Sequence, residues 1–452
     1  MTPPLVSPLP PIAGEELPHI GAGLRFLEAP TDYLKELRAR HGDTFALDIF
    51  GFNLLLSFSP KGLESLYKLE EETASFGQAT FDLIGFKTPT EIFADASPTL
   101  FYELLLHQHM PGYVATIDAI VERELARWGD GGELDIFDAV RTLEQRVGYG
   151  LWIAPEAAED RHWPELKRCF DVLDQESAFV DPTQALATIK SGKARERAAV
   201  EEIKRRIAAI ADEHDRSPEP GRATLDLLRE KFGADATTER DRKVAHNIIN
   251  ANQGFLSNLY AAIAWVVVQL ARHTDIRARV ETEIAAVRGR FGADFTTTID
   301  ALNAMEYLEQ VMMESVRLAQ RSLTLRKVLA PVEFDDGATV YTVQPGVYIA
   351  TLLSVTNTQT PELARFDPDH YQRNQLAKAL VATGKETVST FGHGRHACPA
   401  QRFSHHMCKI VIARLLERFE LRPLAVEPSP SVRQLGGVAR PEQPARLTLV
   451  RR

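Results

Sequence analysis

Phe391-Gly392-His393-Gly394-Arg395-His396-Ala397-Cys398-Pro399-Ala400 is the stretch on which the reading of this chain turns. Its cysteine stands on a glycine-rich loop that feeds a segment, about Pro399 to Phe419, in which Phe403, Met407, Val411, Leu415 and Phe419 recur every four positions. That spacing predicts a helix with a core-facing stripe. The amides that open such a helix favour a thiolate over a thiol. The glycines let the backbone approach a flat cofactor closely. A metal ligand is the reading that uses all of these features. A buried structural cysteine on a turn is the alternative, because unpaired cysteines are mostly packing residues.

The rest of the composition sets bounds. The chain has 452 residues, 44% hydrophobic and 25% charged, with a net charge of −10. That is enough for a large core, and no basic tract speaks for nucleic acid. Three cysteines, Cys169, Cys398 and Cys408, make no disulfide framework and fit a reducing compartment. Met1-Thr2-Pro3-Pro4 lacks the basic and apolar regions of a signal peptide. The longest apolar run, Leu259 to Ala271, is interrupted by Gln269 and is too short to span a bilayer. A cytoplasmic protein without a membrane anchor is expected, as one large domain over 20–452 preceded by a proline-rich segment, 1–19.

Local patterns predict a mainly α chain with a minor β portion. A helix is expected at about Asp32–His41, then a hairpin with Thr44–Phe50 and Leu54–Phe58 around Gly51-Phe52-Asn53. Residues 73–98 read as a long loop with short helical pieces. Helical periodicity dominates from about 99 to 320, with breaks near Gly129–Gly132, Asp181–Pro182, Ser217–Gly221 and Thr296–Thr298. Residues 328–354 alternate as strands. A second motif, Glu314-Ser315-Val316-Arg317, closes a helical run from about Ile299. Its spacing puts Glu314 and Arg317 on one face of an apolar helix, as a mutually satisfied pair would require.

Six positions of the cysteine stretch match F-G-x-G-x-[RH]-x-C-x-[GA], and Glu314-x-x-Arg317 lies 84 residues before Cys398. In both respects the chain resembles the cytochrome P450 superfamily, of the soluble bacterial type. The resemblance runs from about Pro18 to Pro423. It implies a single large triangular domain of the haem-thiolate fold, haem b (iron protoporphyrin IX) as cofactor, and Cys398 as its axial ligand beside Phe391. It gives Glu314 and Arg317 a structural role, with His370 where the family often has an arginine. Arg326 and His396 match partners of the haem propionates, and His107, with His109 behind it, is a further candidate. The stretch Asp95–Trp152 is similar to the bacterial sterol 14-demethylase-like branch. By family position Phe86, Phe255, Leu256 and Leu323 line the substrate pocket, although each is equally a plausible core residue; being apolar, they suit a lipophilic substrate.

One departure from the family pattern bears on the reaction. With Trp265 anchoring the helix that should cross the distal haem face, about Lys243–Arg272, the usual acid and alcohol are replaced by Ser257 and Asn258. No carboxylate occurs from Asn247 to Thr274. Hydroxyl and amide groups both donate and accept, so Ser257 and Asn258 are the available proton-relay residues. Asparagine there also occurs in branches that isomerise or cleave lipid peroxides without electrons. The leading expectation is a monooxygenase using O2 and a separate ferredoxin-type partner. An electron-independent hydroperoxide isomerase or peroxygenase is the second reading, and a non-catalytic haem protein the third. No nicotinamide- or flavin-binding segment is fused. Arg395, Arg402, Lys409 and Arg414 read either as a docking patch for an acidic ferredoxin or as an ordinary solvated face.

Overall fold

The computed structural model describes residues 5–14, 20–85, 87–174, 187–216, 223–374, 384–424 and 426–452. The chain divides into two compact units: Met1–Phe86, Met313–Cys398 and Pro430–Glu442 in the first, Lys87–Met312, Pro399–Ser429 and Gln443–Arg452 in the second.

The described strands are β1 (Val6–Ser7), β2 (Thr44–Ile49), β3 (Phe52–Ser57), β4 (Ala74–Ser75), β5 (Gly131–Asp135), β6 (Leu323–Val328), β7 (Val332–Asp335), β8 (Val340–Val343), β9 (Tyr348–Leu352), β10 (Phe419–Leu421) and β11 (Arg446–Arg451). Nine helices carry the argument. They are α1 (Pro30–His41), α2 (Pro60–Lys68), α3 (Phe76–Ile84), α4 (Met110–Arg127), α5 (Ile136–Trp152), α6 (Thr237–Leu256), α7 (Leu259–Arg272), α8 (Glu306–Ala319) and α9 (Gln401–Arg418).

The first unit is built on a five-stranded sheet in the order β2-β3-β9-β6-β4. The β2–β3 hairpin closes through Phe50 and Gly51, both at positive φ (53° and 84°), which is the primed two-residue turn that matches strand twist. The turn is therefore one residue shorter than the sequence suggests. Alternation along β6 sends Leu325 into the core with Phe45, Leu56 and Ala350 and turns Arg326 to the other face. Pro60 opens α2 and Ser59 caps it, its Oγ accepting from Gly62 N at 2.9 Å. In the N-terminal segment β1 pairs with β8, while residues 15–19 lie outside the described ones.

The second unit is mainly helical. Asp135 caps α5, accepting from Phe137 N at 2.9 Å. The expected break at Gly129–Gly132 becomes β5, because its residues pair with the chain's last strand, Arg446 opposite Asp135 through Val450 opposite Gly131. No local pattern carries such a long-range pairing. The run from Ile299 is two helices, Ile299–Ala304 and α8, interrupted at Met305. The break near Thr296 is a 3-10 turn, Phe295–Thr297. Those expected at Asp181–Pro182 and Ser217–Gly221 lie outside the described residues. Among the described residues one stretch, Thr237–Arg272, is long and apolar enough to cross a membrane by composition, and 78% of its apolar window is buried, as in a core helix.

Candidate functional site

Cys398 is half-buried on a loop whose shape is set by backbone bonds. Its N–H donates to Phe391 O at 2.7 Å, so the cysteine and the half-buried Phe391 close the loop together. Gly392 and Gly394 stand at φ +79° and +63°, and a Cβ on Gly392 would lie 3.2 Å from His396 O. Side chains would strain both positions. The loop is anchored from behind: Gly392 N donates to Ser389 Oγ (3.0 Å) and His393 Nε2 lies 2.9 Å from Val388 O. None of the three cysteines forms a disulfide.

The anchor continues into the Glu314–Arg317 pair, both side chains fully buried. Arg317 Nε and Nη2 each donate to Glu314 at 2.7 Å, a bidentate pair. Its Nη1 donates to Asn357 O and to Leu363 O (2.6 Å), and Nη2 also to Arg365 O (3.2 Å). All five guanidinium N–H groups are thereby matched. Glu314 further accepts from Asp367 N at 3.0 Å and lies 3.1 Å from His370 Nδ1. Burial pushes the Glu314 carboxyl up, but the bonds from Arg317 and His370 outweigh it and the net shift is down. Asn357, fully buried, donates to Arg317 O (3.0 Å) and Ser389 O (2.9 Å) and accepts from Ser389 N (2.8 Å). It fastens the pair to the cysteine loop. Nothing in the sequence singles it out.

The Glu314 bond raises the His370 pKa above its ordinary 6.5, against a smaller opposing effect of burial. A raised folded value means a stabilising contribution that is complete below the unfolded value and lost as pH rises through the folded one. Wild-type stability should therefore decline from about pH 6.5 upward by a component that His370→Gln removes. Denaturant midpoints of both proteins across that range check it, and parallel slopes would refute it.

Arg326 on β6 is 1% exposed. Its Nη1 bonds Leu325 O at 3.0 Å, while Nε and Nη2 have no hydrogen-bond partner among the described residues. Its guanidinium lies 5.0 Å over the Phe76 ring, and burial lowers its pKa. A buried cation with two unmatched donor nitrogens suits an anion, and the two carboxylates of haem are such anions. The residues present thus fit the cofactor. His396, the other expected propionate partner, has a carboxylate neighbour within the protein. Its Nε2 is 3.1 Å from a carboxylate oxygen of Glu71, which also accepts the Phe76 and Gly77 N–H groups at the start of α3, both at 2.9 Å. Glu71 is thus an ion-pair neighbour of His396, and no sequence pattern marks it.

In the second unit Ser257 and Asn258 form the joint between α6 and α7, so the expected Lys243–Arg272 helix is interrupted there. Asn258 Nδ2 donates to Ser257 Oγ at 3.0 Å, and Ser257 Oγ to Gly254 O at 3.4 Å. Phe255 is buried in an aromatic cluster with Trp152 (5.7 Å) and Phe403 (5.5 Å), a packing role. Leu256 and, in the first unit, Leu323 are half-buried. Phe86 lies outside the described residues. His107 is exposed on the 3-10 turn His107–His109.

Two of the four cations read as a docking patch or a solvated face are turned inward. Lys409 is 1% exposed and bonds Glu309 at 2.6 Å. Arg414 holds Asp118 at 2.7 and 2.8 Å and Glu122 at 3.1 Å. The helical stripe rotates both inward, which a tally of cations near Cys398 does not register. Arg395 and Arg402 are exposed, Arg395 in a surface ion pair with Glu70 at 2.9 Å.

A half-buried cysteine on a glycine loop, braced by a saturated Glu–Arg pair and accompanied by an arginine with unmatched donors, defines a haem-thiolate protein. The chain belongs to the cytochrome P450 family, whose model matches residues 160–449. It is a haem-dependent monooxygenase. It is 25% identical over 436 residues to a sterol 14alpha-demethylase of Mycobacterium tuberculosis, covering 91% of each chain. It is 22% identical over 456 residues to a human 24-hydroxycholesterol 7-alpha-hydroxylase, covering 97% of this chain and 93% of that one. The retinoic acid-bound cyanobacterial CYP120A1 shares its fold, with a TM-score of 0.75 at 20% identity, over 98% of this chain and all of that one.

Replacing Arg326 separates its effect on the empty protein from its effect on the cofactor. Arg326→Leu removes an uncompensated buried charge, so the haem-free protein should unfold at higher denaturant than wild type. Haem loss should become about 10- to 100-fold faster, the equivalent of about 1.5–3 kcal/mol for bonds to a charged group. Transfer of haem to an acceptor protein measures the second effect. An unchanged loss rate would dissociate Arg326 from the cofactor.

Proposed function

We propose that this monooxygenase inserts one atom of O2 into a lipophilic small molecule, a sterol, another lipid or a secondary metabolite. Its electrons come from a separate ferredoxin-type protein in the cytoplasm, and residues 20–452 act as one catalytic domain after a proline-rich segment, 1–19. The observation that carries this reading is the Cys398 loop, stitched through Asn357 to a saturated Glu314–Arg317 pair, with Arg326 offering two unmatched donor nitrogens. Cys398 would hold the haem iron through its thiolate. Arg326 is the principal propionate partner, with His396, Phe391 and His107 contributing to cofactor binding. Haem, once bound, supplies oxygen activation, its thiolate ligand favouring O–O cleavage. Ser257 relays a proton through its hydroxyl, and Asn258 orients that hydroxyl, its Nδ2 donating to Ser257 Oγ at 3.0 Å. The lipophilic substrate class is supported by the sterol and hydroxycholesterol named in the relatives, and by half-buried Leu256 and Leu323 as candidate apolar contacts. Exposed Arg402, with Arg395 beside Glu70 at 2.9 Å, is the cation left for an acidic partner.

A second reading, an electron-independent hydroperoxide isomerase or peroxygenase, is favoured by one observation: no carboxylate occurs between Asn247 and Thr274, and Asn258 stands at the joint. Haem-loaded ferric protein given a fatty-acid hydroperoxide and no electron donor decides between them. A parallel sample receives ferredoxin, its reductase, O2 and a panel of sterols. Oxidised sterol only in the second sample supports the O2-dependent enzyme. Rapid conversion of the hydroperoxide to an isomer of equal mass replaces it with the second reading.

A further inference from the structure

The joint between α6 and α7 is supported from α5. Asn258 leaves helical geometry at φ −129°, ψ −31°, and the helical ladder resumes where Ala262 N donates to Asn258 O at 3.0 Å. Tyr260 is the second residue of α7, and its N–H is one of those a new helix cannot satisfy within itself. The residue placed to cap it is Asn258, yet the Asn258 side chain makes no cap bond; its amide donates to Ser257 instead. The Tyr260 N–H is taken by Glu144 Oε1 of α5, at 3.1 Å.

Glu144 is 0% exposed. Burying a carboxyl group costs free energy unless it is hydrogen-bonded, and packing alone would be better served by a leucine. The rest of the same α5 face follows the joint on both sides. Arg141 lies 5.4 Å over the Tyr260 ring. Gly148 lets the chain before the joint approach, since a Cβ there would come within 2.9 Å of the Phe255 ring and 3.2 Å of Leu256 Cδ2. Trp152 meets Phe255 edge-on at 5.7 Å.

We propose that Glu144 is a positioning residue for the Ser257–Asn258 relay. By capping Tyr260 N–H from another helix, it holds the joint open and leaves the Asn258 amide to bond Ser257 rather than the helix that follows. The proposal rests on the role given above to Ser257 and Asn258, and it names a carboxyl group near the joint that no reading of the helix itself would find.

The test uses the full-length, haem-loaded protein with Glu144→Leu and Glu144→Gln. Hydrogen exchange is followed in peptides covering Ser257–Ala262, which needs no turnover and so decides the structural part whatever the reaction proves to be. Glu144→Leu should exchange about tenfold faster there, for loss of a buried bond, with peptides of α4 unchanged. Glu144→Gln, whose amide oxygen still accepts, should stay near wild type. With substrate, Glu144→Leu should lower kcat and the product formed per electron consumed by about tenfold with KM nearly constant, and the glutamine should restore both. Glu144→Met gives the same comparison should leucine prevent folding. Unchanged exchange over Ser257–Ala262 would overturn the proposal, as would faster exchange with an unchanged ratio of product to electrons.

Discussion

Replacing Cys398 with serine should lower turnover by more than about 100-fold, beyond the 10- to 100-fold typical of losing a group that only supports a metal ligand. A serine hydroxyl stays protonated at neutral pH and cannot replace a thiolate. Folding should be nearly unaffected. Cys398 is only half-buried, and the bond that shapes its loop is made by its backbone N–H to Phe391 O at 2.7 Å, which serine keeps. The absorption spectrum of the reduced carbon monoxide complex reports the ligand directly and should lose its thiolate character. Turnover within tenfold of wild type with the spectrum unchanged would exclude Cys398 as the ligand.

Arg317→Leu should act in the opposite manner, through stability. Five donors vanish at once. Glu314 is left buried without its bidentate partner, and the carbonyls of Asn357, Leu363 and Arg365 lose theirs. Breaking a buried pair from one side costs about 3–5 kcal/mol, against a total stability of about 5–15 kcal/mol, so the variant should be largely unfolded or insoluble at 37 °C. Arg317→Lys keeps the charge but only three donors without the planar fork, and should fall between. Glu314→Leu/Arg317→Leu should recover the part due to the orphaned carboxylate but not the part due to the carbonyls. Denaturant midpoints of wild type, Glu314→Leu, Arg317→Leu and the double variant give the coupling energy. A single leucine variant within about 1 kcal/mol of wild type, the value of an exposed pair, would contradict the buried geometry.

What the sequence disclosed is what lies close together along the chain. The cysteine loop is ten consecutive residues, and Glu314 and Arg317 are one helical turn apart, so motif and periodicity sufficed. Arg326 was named by the family resemblance, from its place after Arg317 at the start of a strand. The groups that position these residues are distant partners. Asn357 reaches Ser389, Glu71 reaches His396, and Glu144 reaches Tyr260 across 116 positions. Their residue types are ordinary and their spacing has no period. Lys409 and Arg414 were open to misreading for the converse reason. Charge suggests a surface, and only the placement of α9 against Glu309 and Asp118 turns them inward.

Arg326 has a consequence for the protein's life in the cell. A chain that has folded without its cofactor carries a buried cation with two unmatched donor nitrogens, and binding the cofactor draws the equilibrium toward the folded form by mass action. A small loss of stability is enough to change abundance several-fold once chaperones and proteases compete for the unfolded chain. When the porphyrin supply falls, newly made copies should be degraded rather than stored empty, and the steady-state amount of this protein would then track the iron and porphyrin status of its host.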